Sequence, residues 1–150
     1  MKLAGKVLYL QVNTPWWCFG TKQKYMAEHN DFGKWGEDVA AKYLEGKGYV
    51  IFDRDWRVGN RDLDIVARSE DSMWLVFVEV KTRQTNELAK PEDAVDIRKQ
   101  RNLAIAANVY LKSHTAPPNV RFDIVTIVGS PTGESHVEHI EDAFNPMLIL

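Results

Sequence analysis

Cysteine is almost missing from this chain. Cys18 is the only one in 150 residues, so no disulfide can form within it. A lone thiol suits a reducing compartment, and a cytoplasmic protein is expected. Long apolar runs are missing too. None approaches the roughly 20 residues that span a bilayer, so no membrane partner is expected. Residues 2–10 mix basic and apolar side chains, but Gly5, Lys6 and Gln11 interrupt them and no small-residue cleavage site follows. A secretion signal is therefore not expected. Nor is there an excess of positive charge. With 19 Lys and Arg against 21 Asp and Glu, the net charge is −2, and the whole-protein basic signature of a nucleic-acid binder is missing. Repeats, linkers and low-complexity tracts are not found either.

What is there suggests one domain. The length and a 45% hydrophobic content allow a real core. Charge is unevenly placed. Lys2, Lys6, Lys22 and Lys24 stand in a first stretch without acids, and Glu134, Glu138, Glu141 and Asp142 in a last stretch without Lys or Arg. Between them, Lys81, Arg83, Lys90, Arg98, Lys99, Arg101 and Lys112 make a locally basic segment that the sum conceals. Residues 1–25 are expected to be an N-terminal extension outside the fold, with the domain in 26–150. Trp16, Trp17, Cys18 and Phe19 form an apolar cluster suited to docking.

Asn30 or Asp31 can cap a helix running to about Lys47. Phe32, Trp35, Val39, Ala40, Tyr43 and Leu44 give it one apolar stripe, and Gly46 and Gly48 end it. Residues 49–52, extending to 58, read as a strand, Gly59-Asn60 as a turn, 62–68 as a second strand and 73–82 as a third. These three predict an antiparallel meander. Pro91 suits the first turn of a second helix running to about Ser113, with Glu92 and Asp93 near its positive end. Its inward residues are Val95, Leu103, Ala106, Ala107 and Tyr110. A fourth strand over 120–128 and an edge strand over 136–140 complete an α/β sandwich, a mixed sheet with helices packed on it.

The chemistry is concentrated at Glu79-Val80-Lys81. Strand alternation turns Glu79 and Lys81 to one face and Val78 and Val80 to the other. Asp64 stands in the neighbouring strand. Two carboxylates from adjoining strands suit magnesium, a hard cation that prefers oxygen ligands and keeps several waters. The Val80 carbonyl is a candidate third ligand, and Lys81 can hold or activate a water. Such a trio points to phosphodiester hydrolysis, which needs a cation near the phosphate oxygens and an activated water.

Other features have plainer readings. Asp123 in an apolar strand suggests a structural ion pair with Arg121 or Arg57, and Asp55 and Arg57 suggest weaker roles of the same kind. His136 and His139 alternate to opposite faces and lack a cysteine companion, which argues against zinc. Trp35, Trp56 and Trp74 suit packing better than base stacking.

Gly36-Glu37, 62–66 (Asp-Leu-Asp-Ile-Val), 77–83 (Phe-Val-Glu-Val-Lys-Thr-Arg), Lys99-Gln100 and Arg121-Phe122-Asp123 resemble the YraN-type bacterial proteins. That family is similar to the PD-(D/E)XK nucleases, especially the Holliday-junction-resolvase-like members. The resemblance spans about residues 30–128. It implies a restriction-endonuclease-like α/β fold and a nuclease dependent on Mg2+ or Mn2+ that acts on DNA, branched DNA included. By carry-over, Asp64 and Glu79 are metal ligands and Lys81 the catalytic lysine. Glu37 looks like the helix-borne acid of the same cleft, and Gln100 like the supporting glutamine. Where the family usually has Gly-Glu, this chain has Arg61-Asp62. Asp62 keeps the charge on a shorter arm, and Arg61 adds a bulky cation that could contact phosphate or narrow the cleft. Arg61, Arg83, Arg98, Lys99 and Arg101 are the candidate nucleic-acid contacts. Resolvase-like members often work as symmetric dimers, so a homodimer is a further expectation. The alternatives are a non-catalytic nucleic-acid-binding module and an interaction scaffold on the same fold.

Overall fold

A computed structural model describes residues 17–84, 95–117 and 119–145, with side chains described from residue 26 onward. Its elements are helix α1 (Trp17–Gly46), strands β1 (Val50–Val58), β2 (Arg61–Arg68) and β3 (Trp74–Arg83), helix α2 (Ile97–Ser113), and strands β4 (Asn119–Gly129) and β5 (Ser135–Ile140). The sheet order is β1-β2-β3-β4-β5. The predicted meander is present, with β1–β2 and β2–β3 both antiparallel. The α2 crossover then makes β3–β4 parallel, and β5 returns antiparallel as the edge. This is the expected α/β architecture with a mixed sheet, and it agrees with a restriction-endonuclease-like fold.

Each helix covers one face. Ala40, Ala41 and Leu44 of α1 pack on Val76, Val78, Val80, Val125 and Ile127. Leu103, Ala106, Ala107 and Tyr110 of α2 pack on Leu75, Phe77, Phe122 and Ile124. Alternation along β3 thus separates the two cores, even residues toward α1 and odd residues toward α2. The three tryptophans are half-buried and packed on these cores, Trp35 and Trp74 on the α1 side and Trp56 on the α2 side.

Both helix starts differ from expectation. The backbone of α1 is already helical at Trp17, so Asn30 and Asp31 lie inside the helix and cap nothing. The stretch ahead of them, rich in Lys, Gln, Met, Ala and Glu, has no proline to stop a helix, and a local capping signal yields to that continuity. Residues 1–16 of the predicted extension lie outside the described residues. Helix α2 begins at Ile97, where the Asp96 side chain accepts a hydrogen bond from the Lys99 backbone N–H at 2.8 Å. Asp96 is a true N-cap, and it takes precedence over the proline signal upstream. Pro91, Glu92 and Asp93 lie outside the described residues. Among the described residues, no helix is long and apolar enough to cross a membrane.

Candidate active site

The β2–β3 ladder pairs Arg68 with Leu75 and runs as far as Ile65 with Val78. Beyond that pair the two strands part, while β3 stays paired with β4 through Arg83. Asp64 and Glu79 stand at this fork, one on each prong. The Val80 N–H turns to the Asp64 side chain instead of to β2, donating to Oδ2 at 2.8 Å. On the other flank, β1 has left-handed Asp55 (φ +50) between the Arg54–Ile65 and Trp56–Leu63 pairs. Aspartate tolerates that conformation better than most residues.

Two carboxylates are buried here, Asp64 at 9% exposure and Glu79 at 3%. Burial, followed by the negative charge of Glu79, raises the Asp64 carboxyl from 3.8 to about 7, against the opposing Val80 hydrogen bond. Two lysines answer this charge from different elements. Lys81 Nζ lies 2.9 Å from Glu79 Oε1. Lys99 Nζ, from α2, lies 3.3 Å from Glu79 Oε2 and 3.2 Å from Asp62 Oδ1. Although Lys99 is close, Glu79 Oε2 has no hydrogen-bond partner. The contact is an ion pair without hydrogen-bond alignment. Burial alone would lower the Lys99 pKa, but Glu79, Asp64 and Asp62 outweigh it and raise it.

Glu37 reaches the neighbourhood from α1. Its carboxyl is raised by burial first and Asp55 second, and its own charge adds to the rise at Asp64. It lines a cavity of about 470 Å³ with Lys34, Asp38, Arg54, Asp55 and Arg57. Gly36, next to it, is buried, and a Cβ there would collide with the Thr82 side chain of β3. The glycine lets α1 press onto the strand that carries Glu79 and Lys81, and that crossing sets where Glu37 stands.

The remaining predicted residues divide. The Gln100 side-chain amide donates to the Val95 carbonyl at 2.9 Å, fastening the start of α2 to the preceding loop. Its role is therefore to position α2, and Lys99 with it. Arg61 donates to Asn102 Oδ1 of α2 at 3.3 Å. Arg98 and Arg101 are exposed on α2, and Arg83 is half-buried at the end of β3. Lys99, expected on the phosphate path, lies instead among the acids. A pairing signal was available in the sequence: Arg61-Asp62 on β2 matches Asn102 and Lys99, three apart on one helical face.

The donor set fits a divalent cation. Two buried carboxylates, one with an oxygen lacking a hydrogen bond, are what a hard ion takes. Among the described residues, no three Asp, Glu, His or Cys side chains converge tightly enough to enclose an ion. An ion held by these two carboxylates would keep water or phosphate at its other positions, as magnesium commonly does.

A family model described as "Uncharacterised protein family UPF0102" matches residues 36–127. The chain belongs to this family. That bears out the YraN-type resemblance. UPF0102 relatives match nearly end to end. A UPF0102 protein of Bacteroides thetaiotaomicron is 48% identical over 123 residues, covering 82% of this chain and 99% of that one. UPF0102 protein BF0634 of Bacteroides fragilis is 50% identical over 123 residues, with the same two coverages. Among solved structures, Pyrococcus furiosus SfsA in complex with Ca2+ aligns at 18% identity and a TM-score of 0.33, covering 75% of this chain and 63% of that one. That likeness is too distant to support an argument about function. The UPF0102 match contains every residue of the fork, from Glu37 through Gln100.

Proposed function

We propose that this UPF0102 protein is an endonuclease-like hydrolase of DNA phosphodiester bonds, branched DNA included, that uses Mg2+ or Mn2+. The observation that carries this reading is the pair of buried carboxylates at the β2–β3 fork, with two lysines against them and one oxygen without a hydrogen bond. A fold rarely keeps so much buried charge without use for it.

Asp64 and Glu79 would hold the ion, with the Val80 carbonyl as a third ligand. When bound, the ion supplies charge stabilisation at the phosphate and lowers the pKa of a coordinated water. Lys81 does the remaining work. Its side chain is 33% exposed while its ammonium touches Glu79, so it faces both the acid and incoming water. There it orients the water oxygen toward phosphorus. That oxygen bonds to phosphorus as its proton departs to solvent. The bond to the leaving oxygen breaks with its electron pair, and the leaving oxygen takes up a proton from solvent. Arg83, Arg98 and Arg101 lie beyond the fork, where they would meet the DNA backbone.

Titrating Mg2+ and Mn2+ against junction, flap, duplex and single-stranded DNA tests the reading. Metal-dependent product that vanishes in Asp64→Asn and Glu79→Gln is the expected result. Salt-sensitive binding with no product would make the protein a non-catalytic nucleic-acid-binding module. No binding of DNA or metal would leave an interaction scaffold.

A further inference from the structure

Lys99 is the least expected member of the fork. It comes from α2, across from the strands that carry the carboxylates, and Asp96 and Gln100 on either side of it fix the helix start that aims it. Its ammonium lies between two acids of different character. Glu79 is buried, and the Asp62 side chain is 47% exposed. The Glu79 contact is the looser of the two in kind. The Asp62 contact is a hydrogen bond, whereas the Glu79 contact is charge without alignment. Lys81 differs, holding the other Glu79 oxygen at 2.9 Å. The oxygen left for an incoming ion is therefore the one Lys99 neutralises. An ammonium and a divalent cation cannot both lie against Oε2, because their repulsion in a buried site is large.

We infer that Lys99 is a stand-in cation, which neutralises Glu79 while no metal is bound and withdraws to Asp62 and the DNA backbone as the ion arrives. This rests on the metal-site reading above. It gives Asp62 a purpose as the acid that receives the withdrawn ammonium. It also makes metal and Lys99 competitors for one oxygen, so their occupancies are negatively coupled.

The test is Mn2+ binding to the full chain, by calorimetry and by the electron paramagnetic resonance of free Mn2+, without DNA. Lys99→Met should bind Mn2+ more tightly, on the order of tenfold. Its metal-free melting temperature should fall, and its gain on adding Mn2+ should exceed that of the wild type. Asp62→Asn should weaken Mn2+ binding in the wild-type background and have no effect beside Lys99→Met. Lys99→Gln is the substitute if the methionine variant does not fold. Equal or weaker Mn2+ binding by the Lys99 variants, or an Asp62→Asn effect that persists beside Lys99→Met, overturns the inference and leaves the metal site standing. If folded wild type and variants alike bind no Mn2+, the metal-site reading falls and the inference falls with it.

Discussion

Among the described residues, two buried charge clusters lie on opposite faces of one sheet, and they are built to different standards. On the α1 side, Asp123 is fully buried and both of its oxygens are doubly satisfied. Oδ1 accepts from Arg121 Nε at 2.8 Å and from the Asp142 N–H at 3.0 Å. Oδ2 accepts from Arg121 at 2.9 Å and is paired with His139 Nε2 at 2.8 Å. Arg121 also donates to the Tyr49 hydroxyl, and Lys47 approaches His139 Nδ1 at 3.0 Å. A lysine ammonium can only donate, so His139 accepts at Nδ1 and carries its proton on Nε2, facing Asp123. On the α2 side, Asp64 and Glu79 lie together with unequal partners and one oxygen lacking a hydrogen bond. A closed network fixes a fold. An open one leaves room for something to bind.

Four substitutions or conditions probe this contrast. The largest effect is expected at the fork. Asp64→Asn should lower DNA cleavage by about a thousandfold, equivalent to about 4 kcal/mol. Its metal-free melting temperature should hold or rise, since asparagine still accepts from Val80 and no longer faces Glu79 as an anion. An unfolded variant would place Asp64 in the structural class with Asp123.

Asp123→Ala should do the reverse. Removing the acid strands Arg121 and His139, which should cost about 3–4 kcal/mol of stability in a chemical melt. Cleavage per folded molecule should persist below the new midpoint. A mild loss of stability would mean the closed cluster is no stronger than a surface ion pair.

Gly36→Ala sharpens the contrast by disturbing the fork through the helix that carries Glu37. The new methyl would drive α1 away from Thr82 and cost about 1–3 kcal/mol. Thr82→Ala or Thr82→Gly beside it should recover part of both stability and cleavage. Failure of that rescue would remove the helix–strand crossing as the device that places Glu37.

The smallest effect concerns pH. The Asp64 carboxyl is raised in the folded state, so its contribution to stability is complete below its unfolded value of 3.8 and is lost as pH rises through about 7. Between these limits the metal-free wild type should lose stability steadily relative to Asp64→Asn. Parallel melting curves for the two would contradict the burial of a shared negative charge.

Much of this was legible in the sequence. Alternation alone turned Glu79 and Lys81 to one face, because a two-residue period leaves no other choice. The apolar residues chosen for both helices, Phe32 excepted, lie in the two cores or pack against them. The pairing of Asp123 with Arg121 followed from an acid inside an apolar strand. What escaped depends on geometry between distant segments. The company of His139, Tyr49, Lys47 and Glu141 around Asp123 arises only when β5 returns beside β4. The placement of Lys99 needs the turn of α2 that begins at Asp96, and the proline upstream pointed elsewhere. Arg61, read as a phosphate contact, is held by Asn102, a partner 41 residues away.

The Val80 amide gives the fork a built-in gauge. Past Val78, one carboxylate oxygen stitches the two prongs together, and that oxygen belongs to one of the two acids of the proposed metal site. Whatever protonates, occupies or empties Asp64 must alter the electron density this single N–H feels. Its nuclear resonance would therefore read out the charge state of the centre from the backbone, with no label attached.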